Sequence, residues 1–326
     1  MFTQLFRNRI YESRKFKYRI RKLESYICAN CKRQEPHIVK DLATLWNSQS
    51  DIFLGDFQIG GKNYEFFVEF YQLVTHGRPY VKVNDKVSLV SGDIEFETEY
   101  GDLAFIVDYW LENSLLSRRI SILQTKKEKK KDQVDIKLHQ QYLMQFWPSV
   151  EISQMVGAPR KFSFIGVHPD EFSFYHFILS EHRNTVYCSS ICSAPFVGSA
   201  LGITRPVVEE SLANWCAQKK IKPHTPPPSL MLPMPLFPGQ IYKHGNNYEW
   251  NLLPKPFYQF VLDAAYQHVG IDQTELLTIA LERVENILAI KVVGGREGQE
   301  FRNRITDIYE FRKRPDNSDK NTFIFT

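Results

Sequence analysis

The chain has 326 residues, 43% hydrophobic and 14% aromatic, with a formal net charge of +4, which excludes a disordered or collagen-like chain and allows one large domain or two. No run approaches the ~20 apolar residues of a membrane-spanning helix, and the first residues lack the continuous apolar core of a signal peptide. Five cysteines, an odd number in so long a chain, do not suggest a disulfide framework, so a reducing cytoplasm is the expected setting.

Residues 1–33 carry ten Lys/Arg against two Glu, interleaved with Phe6, Ile10, Phe16, Tyr18, Ile20 and Leu23. Residues 1–36 read as a basic N-terminal arm, either packed on the main domain as an amphipathic segment or lying along a phosphate backbone. Over 37–47, Ile38, Leu42 and Leu45/Trp46 fall on one helical face. From 52 to 125 the texture becomes aromatic and β-prone, with turns at Gly60-Gly61, Asn84-Asp85 and Ser91-Gly92-Asp93.

In "GDIEFETEYGDLAFIVDYWL" (92–111), Glu95, Glu97 and Glu99 alternate with Ile94, Phe96 and Thr98 and share a strand face. Like charges in such a row repel unless a cation or solvent compensates them. The acidic set ends at Gly101-Asp102, just before the apolar run Leu103–Val107. In "RRISILQTKKEKKK" (118–131), Gln124 and Lys126 share a face with Ile120 and Ile122, and a lysine cluster follows. A hairpin turning near 111–118 places Asp102 beside Gln124 and Lys126, whereas a slip of one residue reverses the faces.

Val134, Leu138, Tyr142/Leu143 and Phe146/Trp147 then repeat at helical spacing up to Pro148. Segments 160–169 and 172–192 read as strands, and 204–220 as a helix. Residues 223–238 hold seven prolines in sixteen positions, which excludes a helix or an internal strand and indicates an extended connector lying against the protein. Two helical patterns, around 255–268 and 273–288, precede "ILAIKVVGGREG". The expected organisation is the arm at 1–36, an α/β core at 37–222, a proline-rich connector at 223–238 and a C-terminal region at 239–326.

A carboxylate, an amide oxygen and an ammonium meeting at a sheet end suit phosphate chemistry. Mg²⁺ needs only one or two protein carboxylates. It activates a bound water, and a lysine offsets charge on the phosphoryl group. An Asp, a hairpin, then (Asp/Glu/Gln)-x-Lys and a helix resembles the PD-(D/E)xK superfamily of restriction-endonuclease-like nucleases, in a QxK form. The matching residues are Gly101-Asp102 and Gln124-Thr125-Lys126, and the likeness spans roughly residues 37–150.

The resemblance implies an α/β fold, a mixed β-sheet flanked by helices in a restriction-endonuclease-like core with a C-terminal helical extension. Asp102, Gln124 and the Thr125 carbonyl would hold Mg²⁺ or Mn²⁺, with Lys126 as catalytic lysine. A further acid from the preceding helix or strand is expected, with Asp41, Glu97 and Glu99 as candidates and Glu99 or Glu97 preferred. No proline precedes Asp102, and neutral Gln124 leaves the site one negative charge short unless a nearby Glu supplies it.

The expected activity is hydrolysis of DNA phosphodiester bonds by an effector of a prokaryotic defence or restriction system, partnered by an ATPase or sensor subunit. Lys127, Lys129, Lys130 and Lys131 are candidate phosphate contacts, with a solvated loop as the plain alternative. His139 and Tyr142, spaced i,i+3, could present polar groups to the site. The alternative to the nuclease is a strand end with ordinary surface polar residues, hence a non-catalytic nucleic-acid-binding or interaction subunit.

Weaker signals remain. Cys28 and Cys31 with His37 make half a zinc knuckle, whose other half would be the distant Cys188 and Cys192. No Walker loop and no G-x-S-x-G elbow occur. Gly294–Gly298 reads as a turn.

Overall fold

A computed structural model describes residues 2–74, 79–87, 92–130, 133–153, 158–164, 168–180, 184–189, 205–233 and 256–296. The chain opens with helices α1 (Phe2–Glu12), α2 (Arg14–Asn30) and α3 (Glu35–Asn47) and strands β1 (Ile52–Ile59), β2 (Lys62–Val74), β3 (Tyr80–Val87), β4 (Gly92–Glu99), β5 (Leu103–Leu111), β6 (Ser114–Lys130) and β7 (Gln133–Lys137). Helix α4 (Leu138–Phe146) follows, then β8 (Val150–Ile152), β9 (Arg160–Phe162), the short α5 (Pro169–Phe172), β10 (Ser173–Leu179) and β11 (Asn184–Ser189). Helix α6 (Arg205–Ile221), β12 (Ser229–Pro233), α7 (Phe257–Ala265), α8 (Thr274–Arg283) and β13 (Asn286–Arg296) complete the described chain.

Among the described residues, a mixed sheet runs β1-β2-β13-β5-β6-β10-β11, with β7 and β12 continuing from β6, and a second sheet of four strands runs β4-β3-β8-β9. Strand alternation divides the large sheet's side chains between two cores. Leu103, Phe105, Val107, Leu123, Phe174, Leu288 and Ile290 pack under α1, α2, α3 and α7. Ala104, Ile106, Ile120, Ile122, Tyr175, Phe177 and Ile287 pack against α4, α6, α8 and the second sheet. The α/β expectation, a mixed sheet flanked by helices, agrees with this layering.

Several expectations need correction. Of the two readings of the N-terminal segment, the amphipathic one packed on the main domain is observed, and more deeply than an arm: Phe6, Ile10, Phe16, Ile20, Leu23 and Ile27 are buried in the core under the large sheet, so α1 and α2 form part of that layer. The C-terminal region is no appended extension either. β13 lies inside the large sheet, antiparallel to β2 and parallel to β5. Its apolar run is what a strand covered on both faces requires. Gly294 and Gly295 therefore belong to a strand, and a Cβ at Gly294 would lie 2.5 Å from the Phe66 ring.

The segment after the lysine cluster is strand before it is helix. Gln133–Lys137 form β7, and α4 begins only at Leu138. The lysine cluster itself continues β6 as far as Lys130. Within the proline-rich connector, Ser229–Pro233 pair with β7 as an edge strand, where proline is tolerated. Residues 234–238 lie outside the described residues.

Candidate functional site

The hairpin forms in the expected register. Leu103 pairs with Leu123, and the turn follows Leu111↔Ser114, with Glu112 at a positive φ of 51°. One step beyond Leu103, Asp102 lies beside Gln124, and Tyr175 of β10 is opposite Gln124 on the other side. Gly101 makes this approach possible: a Cβ there would lie 2.7 Å from Ile122 Cγ2 and 3.3 Å from the Leu123 carbonyl oxygen. The chain crosses from the second sheet to the first at Tyr100–Asp102, flush against β6.

Among the described residues, no strand pairs with β6 on the Asp102 side from Gln124 to Lys127. Its backbone donors are taken by carboxylates instead. The Thr125 N–H donates to Asp102 Oδ2 at 2.6 Å, and the Lys127 N–H donates to Glu35 Oε2 at 2.9 Å. The Thr125 carbonyl shares the direction of its own N–H in an extended strand, so it too faces the Asp102 side. Gln124 Nε2 donates to the same Asp102 oxygen. Gln124 is fully buried, yet its Oε1 has no hydrogen-bond partner.

Glu35 is the acid that sequence reasoning missed. It stands in the first turn of α3, before Pro36, where the helix dipole favours a carboxylate. Gln34-Glu35-Pro36 is a helix-start signal, but nothing local says that this helix begins beside β6. Of the three acids weighed, Glu99 reaches the site, accepting from Gln140 Nε2 of α4 at 2.8 Å. Glu97 is exposed opposite Lys82, which pairs with Glu95 at 2.5 Å and so supplies the compensating cation of that row. Asp41 is bound by Arg33 and Tyr26, away from the site.

The electrostatics follow from this crowding. Burial first of all, then the Glu35 and Glu99 charges, push the Asp102 carboxyl up to about 7, against the opposing pull of Lys126 and the Thr125 N–H. Glu35 is raised too, chiefly by burial and further by Glu99, with Lys126, Lys127 and the Lys127 N–H acting against the shift. Three carboxylates thus share the neighbourhood of Lys126, which is half-buried. The surplus negative charge and the unsatisfied Gln124 oxygen fit a divalent cation. A half-turn of the Gln124 amide exchanges its nitrogen and oxygen, which would aim Oε1 where Nε2 now meets Asp102. Among the described residues, no group of three or more His, Cys, Asp or Glu is arranged to hold a metal, so such an ion would depend on the amide and backbone oxygens.

The other candidates are accounted for differently. Lys127 Nζ donates to the Lys32 and Arg33 carbonyls at 2.7 Å each, and Lys129 pairs with Asp135 at 3.1 Å. Both ammoniums are engaged within the chain; phosphate contact would require them to let go. The Lys130 side chain and Lys131 lie outside the described residues. Tyr142 donates to Asp85 Oδ2 at 2.8 Å, away from the acids. The Cys31 thiol donates to the Ser180 carbonyl at 3.6 Å as a buried structural group, and the Cys188 side chain and Cys192 lie outside the described residues.

Comparison with protein-family models, curated proteins and solved structures gives no match to this chain. Among the described residues, no helix is long and apolar enough to cross a membrane.

Proposed function

We propose that the protein is a metal-dependent nuclease that hydrolyses DNA phosphodiester bonds, with its site at Asp102, Gln124, Thr125 and Lys126 and with Glu35 and Glu99 as flanking acids. The observation that carries this reading is the placing of Asp102 and Glu35 along one edge of β6, beside a buried amide with a free oxygen, with Lys126 and Glu99 acting on them electrostatically. Supporting it, β5 and β6 form a hairpin, α4 crosses over, and β10 returns parallel to β6, the element order that the restriction-endonuclease-like resemblance implies.

Mg²⁺ or Mn²⁺, when bound, would supply a water of lowered pKa and a counter-charge for the phosphoryl group. Asp102, Gln124 Oε1 and the Thr125 carbonyl would hold it. Lys126, on the same strand face as Gln124, orients the substrate phosphate and offsets the charge that develops on it. Glu35 and Glu99 keep the surroundings negative, which favours the cation. The proposed setting is a cytoplasmic prokaryotic defence or restriction system with an ATPase or sensor partner.

A second reading has its own observation. Asp102 and Glu35 satisfy the edge N–H groups of β6, and among the described residues no group of three acids is arranged to hold a metal, as expected of a non-catalytic nucleic-acid-binding or interaction subunit that keeps the architecture. Plasmid cleavage with Mg²⁺, comparing the parent with Asp102→Ala and Lys126→Ala, separates the two. Loss of cleavage in both variants supports the nuclease; equal cleavage in all three removes the site, and DNA binding without cleavage in the parent favours the subunit.

A further inference from the structure

The large sheet's face toward α4, α6 and α8 is packed over only part of its area. Its core ends on a row read across β2, β13, β5 and β6: Tyr71, Ala289, Ile106 and Ile120. The next row away from Asp102 alternates in charge, with Glu69, Lys291, Asp108 and Arg118. The row after it is apolar and spans five strands, with Phe53, Phe67, Val293, Trp110 and Leu115. The Phe53 and Phe67 rings lie 5.3 Å apart, and Lys291 Nζ stands 4.9 Å from the Trp110 ring centre, so these side chains share one face. Asp56 and Glu65 form the last row, which Gly295 completes without a side chain.

Among the described residues, the five apolar side chains of that row belong to neither core. Phe53 and Leu115, at its two ends, are 45% and 41% exposed, whereas Val293 in the middle is only 3% exposed. Neighbours within a sheet shield the flanks of a side chain, and closing its tip takes a second layer. The chain itself offers that layer. β13 ends at Arg296, which pairs with Tyr64 at the rim of this outer half. Residues 297–326 come next and lie outside the described residues. Four residues, 297–300, reach at most ~13 Å when extended, enough to climb to a layer about 10 Å above the sheet. In the sequence beyond them, Phe301, Ile305, Ile308 and Tyr309 recur at helical spacing, and Pro315 follows. Residues 301–314 carry five Lys/Arg against Asp307 and Glu310. This is an apolar stripe in a cationic surround, complementary to an apolar row bordered by Asp56 and Glu65.

We propose that residues 301–314 of the same chain dock on this outer half of the sheet, their apolar side chains on Phe53, Phe67, Val293, Trp110 and Leu115 and their cations toward Asp56 and Glu65. The docking covers the part of the face that α4, α6 and α8 leave, on the side away from Asp102. It does not depend on the nuclease reading.

The test places a photoreactive p-benzoylphenylalanine at position 53 of the full-length protein, where the native ring is exposed, and maps the cross-link by mass spectrometry. A link within one chain to residues 301–314 is expected. A link elsewhere, or none, overturns the proposal, and this measurement needs no variant of the segment itself. A link found only between two chains assigns the row to a second copy and overturns docking within the chain. The full-length Ile305→Asp/Tyr309→Asp variant is expected to lose the link. It should also expose Trp110 to acrylamide, read as the part of the quenching that Trp110→Phe removes. A folded double variant that keeps the link, or in which Trp110 is quenched no more than in the parent, overturns the proposal too.

Discussion

Asp102→Asn should stabilise the protein at alkaline pH, in spite of removing the central acid of the site. The folded carboxyl is raised from 3.8 to about 7, so the fold penalises its ionised form. The penalty is absent below about pH 4, where both states are protonated. It grows as pH rises through the interval up to 7 and is complete above that. At about 1.4 kcal/mol per pH unit, this is at most ~4.5 kcal/mol. Partial solvent access to Asp102 screens it, and ~2 kcal/mol is the working figure. Asparagine, with its Oδ1 in the place of Asp102 Oδ2, keeps the acceptor shared by the Thr125 N–H and Gln124 Nε2. The penalty is already partly present at pH 5, so thermal unfolding followed by circular dichroism at pH 5 and pH 8 should show the variant gaining roughly 2 °C over the parent at the higher pH, relative to the lower. Millimolar Mg²⁺ should raise the parent's midpoint at pH 8 and leave the variant's unchanged. A variant destabilised equally at both pH values would show that Asp102 is not held in a charge-starved environment, and the cation argument would lose its basis.

Other consequences follow from the same geometry. Gly101→Ala should cost about 1–3 kcal/mol by forcing a methyl onto Ile122 and the Leu123 carbonyl, and should abolish cleavage by displacing Asp102; denaturant midpoints and the plasmid assay read the two effects. Trp46 is fully buried and donates from Nε1 to the Ala289 carbonyl at 3.1 Å, so Trp46→Ala should cost about 3–5 kcal/mol, measurable by urea unfolding. Asp108 is buried and accepts from Arg118 Nε and Nη2 at 2.7 and 2.6 Å, and Asp108→Ala should cost about 2–3 kcal/mol by removing these charge-assisted hydrogen bonds. A chain ending at residue 238 should lose cooperative unfolding in calorimetry, because β2 and β5 lose the strand between them.

Much of the hairpin was legible from alternation alone. The face shared by Ile120, Ile122, Gln124 and Lys126, and the apolar run after Gly101-Asp102, are local properties with a period of two residues, and a buried face tolerates only one register. Burial in the helices at 35–47 and 205–221 likewise follows from their apolar stripes. Gln133–Lys137 has the sequence of a helix start, because Val134 also fits the helical period of Leu138 and Tyr142. Short segments of that kind are decided by their partners, here β6 and β12.

The sequence by itself determined the mixed α/β character, the hairpin and the adjacency of Asp102 with Gln124, because side-chain alternation and turn chemistry act over a few residues. Only the tertiary structure decided that β13 enters the sheet between β2 and β5, that Glu35 meets β6, and that α1 and α2 belong to the core. These are pairings between segments up to some two hundred residues apart, specified by which apolar faces and open strand edges remain to be covered, and no local pattern carries that information.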